Sequence, residues 1–111
     1  MEPVEPDRDL GLTIVMPVYN ERETLRTALD RLLAVTMPVP DEIVVVDDGS
    51  SDGCTDTIAD LVDDGRVRLL VQNPNQGKGK ALRRGIAEAS NSLLTVLDAD
   101  LEYDPADFPA L

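Results

Sequence analysis

The sequence has no histidine, no tryptophan, a single cysteine (Cys54), one phenylalanine and two tyrosines in 111 residues. With no histidine and one thiol, a structural zinc site lacks its usual ligands. Cys54 has no imidazole to activate it as a nucleophile. One cysteine also excludes an internal disulfide, so nothing calls for an oxidising compartment. Positive charge is scarce too: ten Lys and Arg against 22 Asp and Glu give a formal net charge of −12. Such a surface repels nucleic acid and anionic lipid headgroups, so no nucleic-acid partner is expected. No apolar run reaches the roughly 20 residues of a membrane-spanning helix. The acidic, proline-containing stretch from Met1 to Asp9 is unlike a signal peptide.

Apolar residues make up 42% of the chain. With so few aromatics, the core must be built from Val, Leu, Ile and Ala, as in a buried parallel sheet. Residues 1–10 read as a flexible leader. Leu12 to Met16 is an apolar run that Pro17 is expected to stop. Asn20, three residues before Glu23, resembles a capping box opening a helix with Leu25, Ala28, Leu29, Leu32 and Leu33 on one face. Pro38 and Pro40 end that unit, and Ile43 to Val46 reads as a second strand. After the Asp47–Gly53 loop, a helix through Ile58, Ala59, Leu61 and Val62 is closed by Gly65. Val67 to Val71 and Leu93 to Leu97 read as further strands. Between them lies a helix burying Ala81, Leu82, Gly85, Ile86 and Ala89. This alternation predicts an α/β fold with a parallel central sheet and flanking helices, and a ligand beyond the carboxyl ends of the strands. Asp104 and Pro105 resemble the N-cap and first residue of another helix, whose face begins with Ala106, Phe108 and Leu111. The sequence therefore reads as part of a longer enzyme.

Four polar segments carry candidate chemistry. Asp98-Ala99-Asp100, with Glu102, follows the last apolar run. Carboxylates there suit a hard divalent cation that takes one or two protein oxygens and the rest from phosphate and water. A solvated acidic turn explains the same letters equally well. Val46-Asp47-Asp48-Gly49-Ser50 offers acceptors for a nucleobase or ribose. A turn with an N-cap accounts for Ser51 and Asp52 but not for two adjacent acids, which repel without a partner. In Pro17-Val18-Tyr19-Asn20-Glu21 the tyrosine can stack on a base, although Pro17 and Asn20 also serve as plain punctuation. Gly77-Lys78-Gly79-Lys80 suggests a phosphate cradle at a helix start, with a solvated lysine as the alternative.

In this order and spacing, the segments resemble the inverting glycosyltransferases of family 2, the group that includes dolichyl-phosphate mannose synthase. Asp98-Ala99-Asp100-Leu101-Glu102-Tyr103-Asp104-Pro105 is most similar to the polyprenyl-phosphate mannose or glucose synthases. The resemblance implies a Rossmann-like nucleotide-diphospho-sugar transferase fold. Its nucleotide pocket would be lined by Pro17, Tyr19, Asn20 and Glu21, with Val46 and Asp48 at the base. Asp98 and Ala99 would lie near the ribose and diphosphate, and Asp100 would hold Mg²⁺ or Mn²⁺ with Glu102 as second ligand. It also implies transfer of a hexose from a GDP-mannose or UDP-glucose type donor to a polyprenyl phosphate, with inversion. Residues 11–111 would form the donor-binding part, with the acceptor part absent. The setting would be cytoplasmic, peripheral at the inner membrane face, with membrane contact only through segments outside this sequence. Three other readings stand beside it: a binding segment without activity, a receiver-like signalling domain, and an Asp-x-Asp phosphatase. A whole strand–helix unit precedes Asp47, which leaves too little chain for a five-unit receiver. In the phosphatases the acidic motif follows the first strand.

Overall fold

The structure, a computed structural model, describes residues 11–36 and 41–101. The leader, the Pro38–Pro40 break, Glu102 and the helix start at Asp104 lie outside the described residues. Within them the chain runs β1 (Leu12–Val18), α1 (Leu25–Leu33), β2 (Asp41–Asp47), a 3-10 turn (Cys54–Ile58), α2 (Ala59–Asp63), β3 (Arg68–Val71), α3 (Lys78–Glu88) and β4 (Leu93–Val96). The strands form one four-stranded sheet in the order β3-β2-β1-β4, and every pair is parallel.

Side-chain alternation along β1 and β2 divides the core between the two faces of the sheet. Ile14, Met16, Val18, Ile43 and Val45 pack with Leu25, Ala28, Leu29 and Leu32 of α1 and with Cys54, Ile58 and Leu61 of the next crossover. Val15, Val44 and Val46 face the other way, against Ala81 of α3. α3 therefore covers the face opposite α1 and α2. The strand order reverses between β1 and β4, and right-handed crossovers on either side of such a reversal put their helices on opposite faces.

α3 approaches the sheet unusually closely because its contact stripe is made of small residues, Ala81 and Gly85. A Cβ on Gly85 would lie 2.5 Å from Val15 Cγ1 and 3.2 Å from Val46 Cγ2. Ile86, expected on the buried side, is 48% exposed because the stripe in contact with the sheet passes through Ala81 and Gly85.

Three further expectations change for identifiable reasons. β1 continues through Pro17, which pairs in register with Val46. The helix expected after Asp52 divides into the 3-10 turn and the short α2. The Asn20–Glu23 capping box does not form; α1 begins after Thr24 with no side-chain cap. Asn20 instead accepts a hydrogen bond from the Ser51 amide at 2.8 Å. A tertiary partner has taken the side chain that a local motif would have used.

Gly85→Ala is expected to destabilise the protein by roughly 1–3 kcal/mol, the usual cost of overpacking. Gly79→Ala, whose new Cβ meets nothing nearer than Arg83 Nη1 at 3.8 Å, should stabilise by up to about 1 kcal/mol through helix propensity. Urea denaturation of the two variants checks both signs.

Candidate functional site

The site begins where β1 and β4 part. On the β4 side of β1, the Leu93 amide donates to Gly11 O and the Leu97 amide to Val15 O, each at 3.0 Å. The next amide in that ladder belongs to residue 17, and proline has none. The other edge of β1 continues, with the Asp48 amide donating to Val18 O at 2.8 Å. Pro17 thus ends pairing with β4 alone, while β1 and β2 stay joined. A crevice opens at the strand-order reversal, where ligands of such sheets bind.

The loops leaving β1 and β2 are fastened to each other. The Asn20 amide donates to Ser50 Oγ and the Ser51 amide to Asn20 Oδ1, both at 2.8 Å. The Arg22 amide donates to Asp52 Oδ2 at 3.0 Å, and its guanidinium to Asp52 O at 2.9 Å. Asn20 holds a left-handed φ of 52°, which asparagine tolerates better than most residues. Burial raises the Asp52 pKa, but hydrogen bonds from the Arg22 and Cys54 amides outweigh it and hold this carboxyl below its ordinary value. Asp47 Oδ1 accepts from both the Ser50 amide and its hydroxyl.

Asp48 is 4% exposed, and three donors converge on its carboxylate. Gln72 Nε2 and the Gln76 amide reach Oδ1 at 3.0 and 2.7 Å, and the Gly77 amide reaches Oδ2 at 2.9 Å. The residue thereby ties the end of β2 to the loop that launches α3. Gly49, at φ +75°, lets that loop pass: a Cβ there would lie 2.8 Å from Asn75 N. The adjacent acids, unexplained as a turn, both have partners within the chain.

Pro17, Tyr19, Glu21, Asp48 and Asp98 come together around one small open cavity of about 90 Å³, with Val18, Lys78 and Ala81. Tyr19 is 51% exposed, its ring available at the rim. Four other candidates fall elsewhere. Asn20 is engaged in the loop clamp, and Val46 is fully buried beneath α3. Ala99 is buried in the larger core cluster, and Asp100 is exposed beyond the cavity lining. Glu102 lies outside the described residues.

Lys78 is the residue that sequence reasoning left undecided. Its Nζ lies 2.8 Å from Asp98 Oδ1. The hydrogen bond to Asp98 raises its pKa, with smaller support from Asp100 and Glu21. Among the described residues no group of three metal-ligating side chains gathers. The oxygen donors nonetheless fit a hard cation that draws only one or two ligands from protein. One of them, Asp98 Oδ1, already holds the Lys78 ammonium.

The parallel sheet with its reversed strand order is a Rossmann-like α/β fold whose ligand crevice lies at the acidic ends of the strands. Its structural neighbours are nucleotide-sugar transferases. The chain belongs to glycosyl transferase family 2, whose sequence profile matches residues 13–111. It is 36% identical over 104 residues to the undecaprenyl-phosphate 4-deoxy-4-formamido-L-arabinose transferase of Yersinia pestis, an alignment that covers 90% of this chain and 32% of that protein. The chain thus spans about a third of that relative's length. Among solved structures it superposes on a mannosyltransferase from Pyrobaculum calidifontis in complex with GDP-Man and Mn²⁺, with a TM-score of 0.74 and 25% identity, covering 86% of this chain and 29% of that one. Glucosyl-3-phosphoglycerate synthase from Mycobacterium tuberculosis in complex with UDP gives 0.73 and 25%, covering 92% and 38%.

Asp48→Asn replaces one acceptor oxygen with a donor and leaves either the Gly77 amide or the donors to Oδ1 unpaired. It should cost about 1–3 kcal/mol, measured by chemical denaturation, with faster hydrogen exchange at the amides of Gln76 and Gly77.

Proposed function

We propose that residues 11–111 form the donor-binding part of a transferase that moves a hexose from a GDP-mannose or UDP-glucose type donor to a polyprenyl phosphate, with inversion. The observation that carries this reading is the crevice between β1 and β4. There Pro17, Tyr19, Glu21, Asp48 and Asp98 gather beside the Lys78 ammonium, in a chain of glycosyl transferase family 2. The lipid acceptor is supported by the undecaprenyl-phosphate relative, and the donor by the GDP-Man and UDP complexes of the structural neighbours. A lipid acceptor implies work at the inner face of a membrane. No helix among the described residues is long and apolar enough to cross one.

The roles follow from position. Tyr19 stacks on the base from the rim. Asp48 Oδ2 accepts one donor from the chain, so the oxygen keeps a lone pair for a base or ribose group. Pro17 holds the crevice open, and Asn20 holds the loop that carries Tyr19 and Glu21. Asp98 would sit near the ribose and diphosphate, with the backbone of Ala99 beside it. Asp100, with Glu102, would hold Mg²⁺ or Mn²⁺, which when bound neutralises charge on the diphosphate. Transfer itself forms a bond from a lipid phosphate oxygen to the anomeric carbon as the bond from that carbon to the diphosphate oxygen breaks on the opposite face.

A cavity of about 90 Å³ is smaller than the roughly 300–1,000 Å³ that encloses a ligand of drug size. These residues therefore cover only part of a donor, and the second reading is that by themselves they bind it without activity.

Calorimetric titration with GDP-mannose and UDP-glucose, each with and without Mn²⁺, tests the assignment. Metal-dependent binding of one donor is expected, and Asp100→Ala should abolish it. Binding to neither donor, or unchanged metal-dependent binding in the Asp100 variant, contradicts the reading. Cys54 is fully buried, so Cys54→Ala should lose about 1 kcal/mol of stability and bind the donor like the parent protein.

A further inference from the structure

Lys78 is the first residue of α3, and it spans the crevice to Asp98 at the end of β4. The pair ties the start of α3 to the chain leaving β4, across the crevice that opens where β1 and β4 stop pairing. Both side chains remain accessible, 61% for Lys78 and 36% for Asp98. An ion pair this exposed is weak enough to be exchanged for a better partner. Asp100 and Glu21 add smaller favourable charge interactions with the same ammonium. The first turn of α3 carries Lys78 and Lys80 and no acidic residue, and the helix dipole adds positive character at the same end. An ammonium released from Asp98 therefore stays at a place that favours an anion.

We propose that Lys78 is a placeholder cation: it pairs with Asp98 when the site is empty, and moves to the diphosphate when a divalent cation and a nucleoside diphosphate enter together. The inference rests on the donor-binding reading given above and adds a consequence to it. A divalent ion arriving alone must compete with a tethered positive charge. Arriving with a diphosphate, it meets no such competition, because the ammonium gains a new partner. Lys78 thereby couples metal binding to nucleotide binding, and a free metal ion does not fill the site prematurely.

The test compares the parent protein with Lys78→Met, which keeps the apolar stem and removes the charge, and with Lys78→Arg. Mn²⁺ alone is titrated by electron paramagnetic resonance. UDP and GDP are then titrated at saturating Mn²⁺ by calorimetry. Lys78→Met should bind Mn²⁺ alone about two- to fivefold more tightly, the range expected for loss of one exposed charge. It should bind the nucleoside diphosphate with Mn²⁺ about three- to tenfold more weakly, consistent with the loss of a charge-assisted contact. Lys78→Arg should stay close to the parent in both. Opposite signs separate this role from simple damage to the fold, which weakens both affinities. Unchanged or weaker binding of Mn²⁺ alone in Lys78→Met, with diphosphate binding intact in the parent, overturns the placeholder role and leaves the donor-binding reading standing. A parent protein that binds neither diphosphate with Mn²⁺ overturns both.

Discussion

The architecture of the site depends on one buried carboxylate. Asp48 takes amide donors from Gln76 and Gly77 and a side-chain donor from Gln72, and through its own amide it holds Val18 O. Those contacts fix where β2 ends relative to β1, and where α3 begins relative to both. Lys78, next in sequence to Gly77, is placed over the crevice by this anchor. A carboxylate that accepts from two backbone amides and a side-chain amide tolerates burial, since each donor replaces a lost water. Those three donors make it chiefly an anchor, with one acceptor position on Oδ2 left for a ligand.

Around that anchor, the two strand-end motifs act on each other before they act on any ligand. Asn20 and Ser50–Ser51 exchange hydrogen bonds, Arg22 embraces Asp52, and Asp47 holds Ser50. Two loops that would fluctuate separately become one preorganised wall. A site held in this way need not order itself on binding. Pro17 supplies the opening by omitting a single donor on the side where β4 must leave. Gly85 lets α3 sit low enough on the sheet to close the far side.

Much of this was readable from the sequence where a single rule governs a residue. The apolar periods of β2 and α1 gave their positions within a few residues, and the strand–helix alternation gave a parallel α/β sheet with its ligand end. What was not readable depended on partners distant in sequence. Whether Pro17 stops a strand depends on which neighbour its missing amide would face. Whether Asn20 caps a helix depends on Ser51 being within reach. Asp47 is held by the nearby Ser50 of its own turn, whereas Asp48 looked unpartnered because its donors, Gln72, Gln76 and Gly77, lie beyond β3. Lys78 was ambiguous for the same reason: its carboxylate partner lies at the end of another strand. Ile86 shows the limit of helical periodicity, which marks an apolar face without saying which residue of it meets the sheet.

The central claim is that the parted ends of β1 and β4 form a metal-assisted nucleoside-diphosphate site built on these loops. Paramagnetic broadening of backbone amide resonances by trace Mn²⁺, recorded with and without UDP or GDP, tests it most directly. The account predicts that with one nucleotide the broadening centres on the amides of Asp98 to Leu101 and Lys78, while those of Arg66 to Leu69 at the opposite end of the sheet remain sharp. Broadening centred on the opposite end, or spread evenly over the acidic surface, would contradict it.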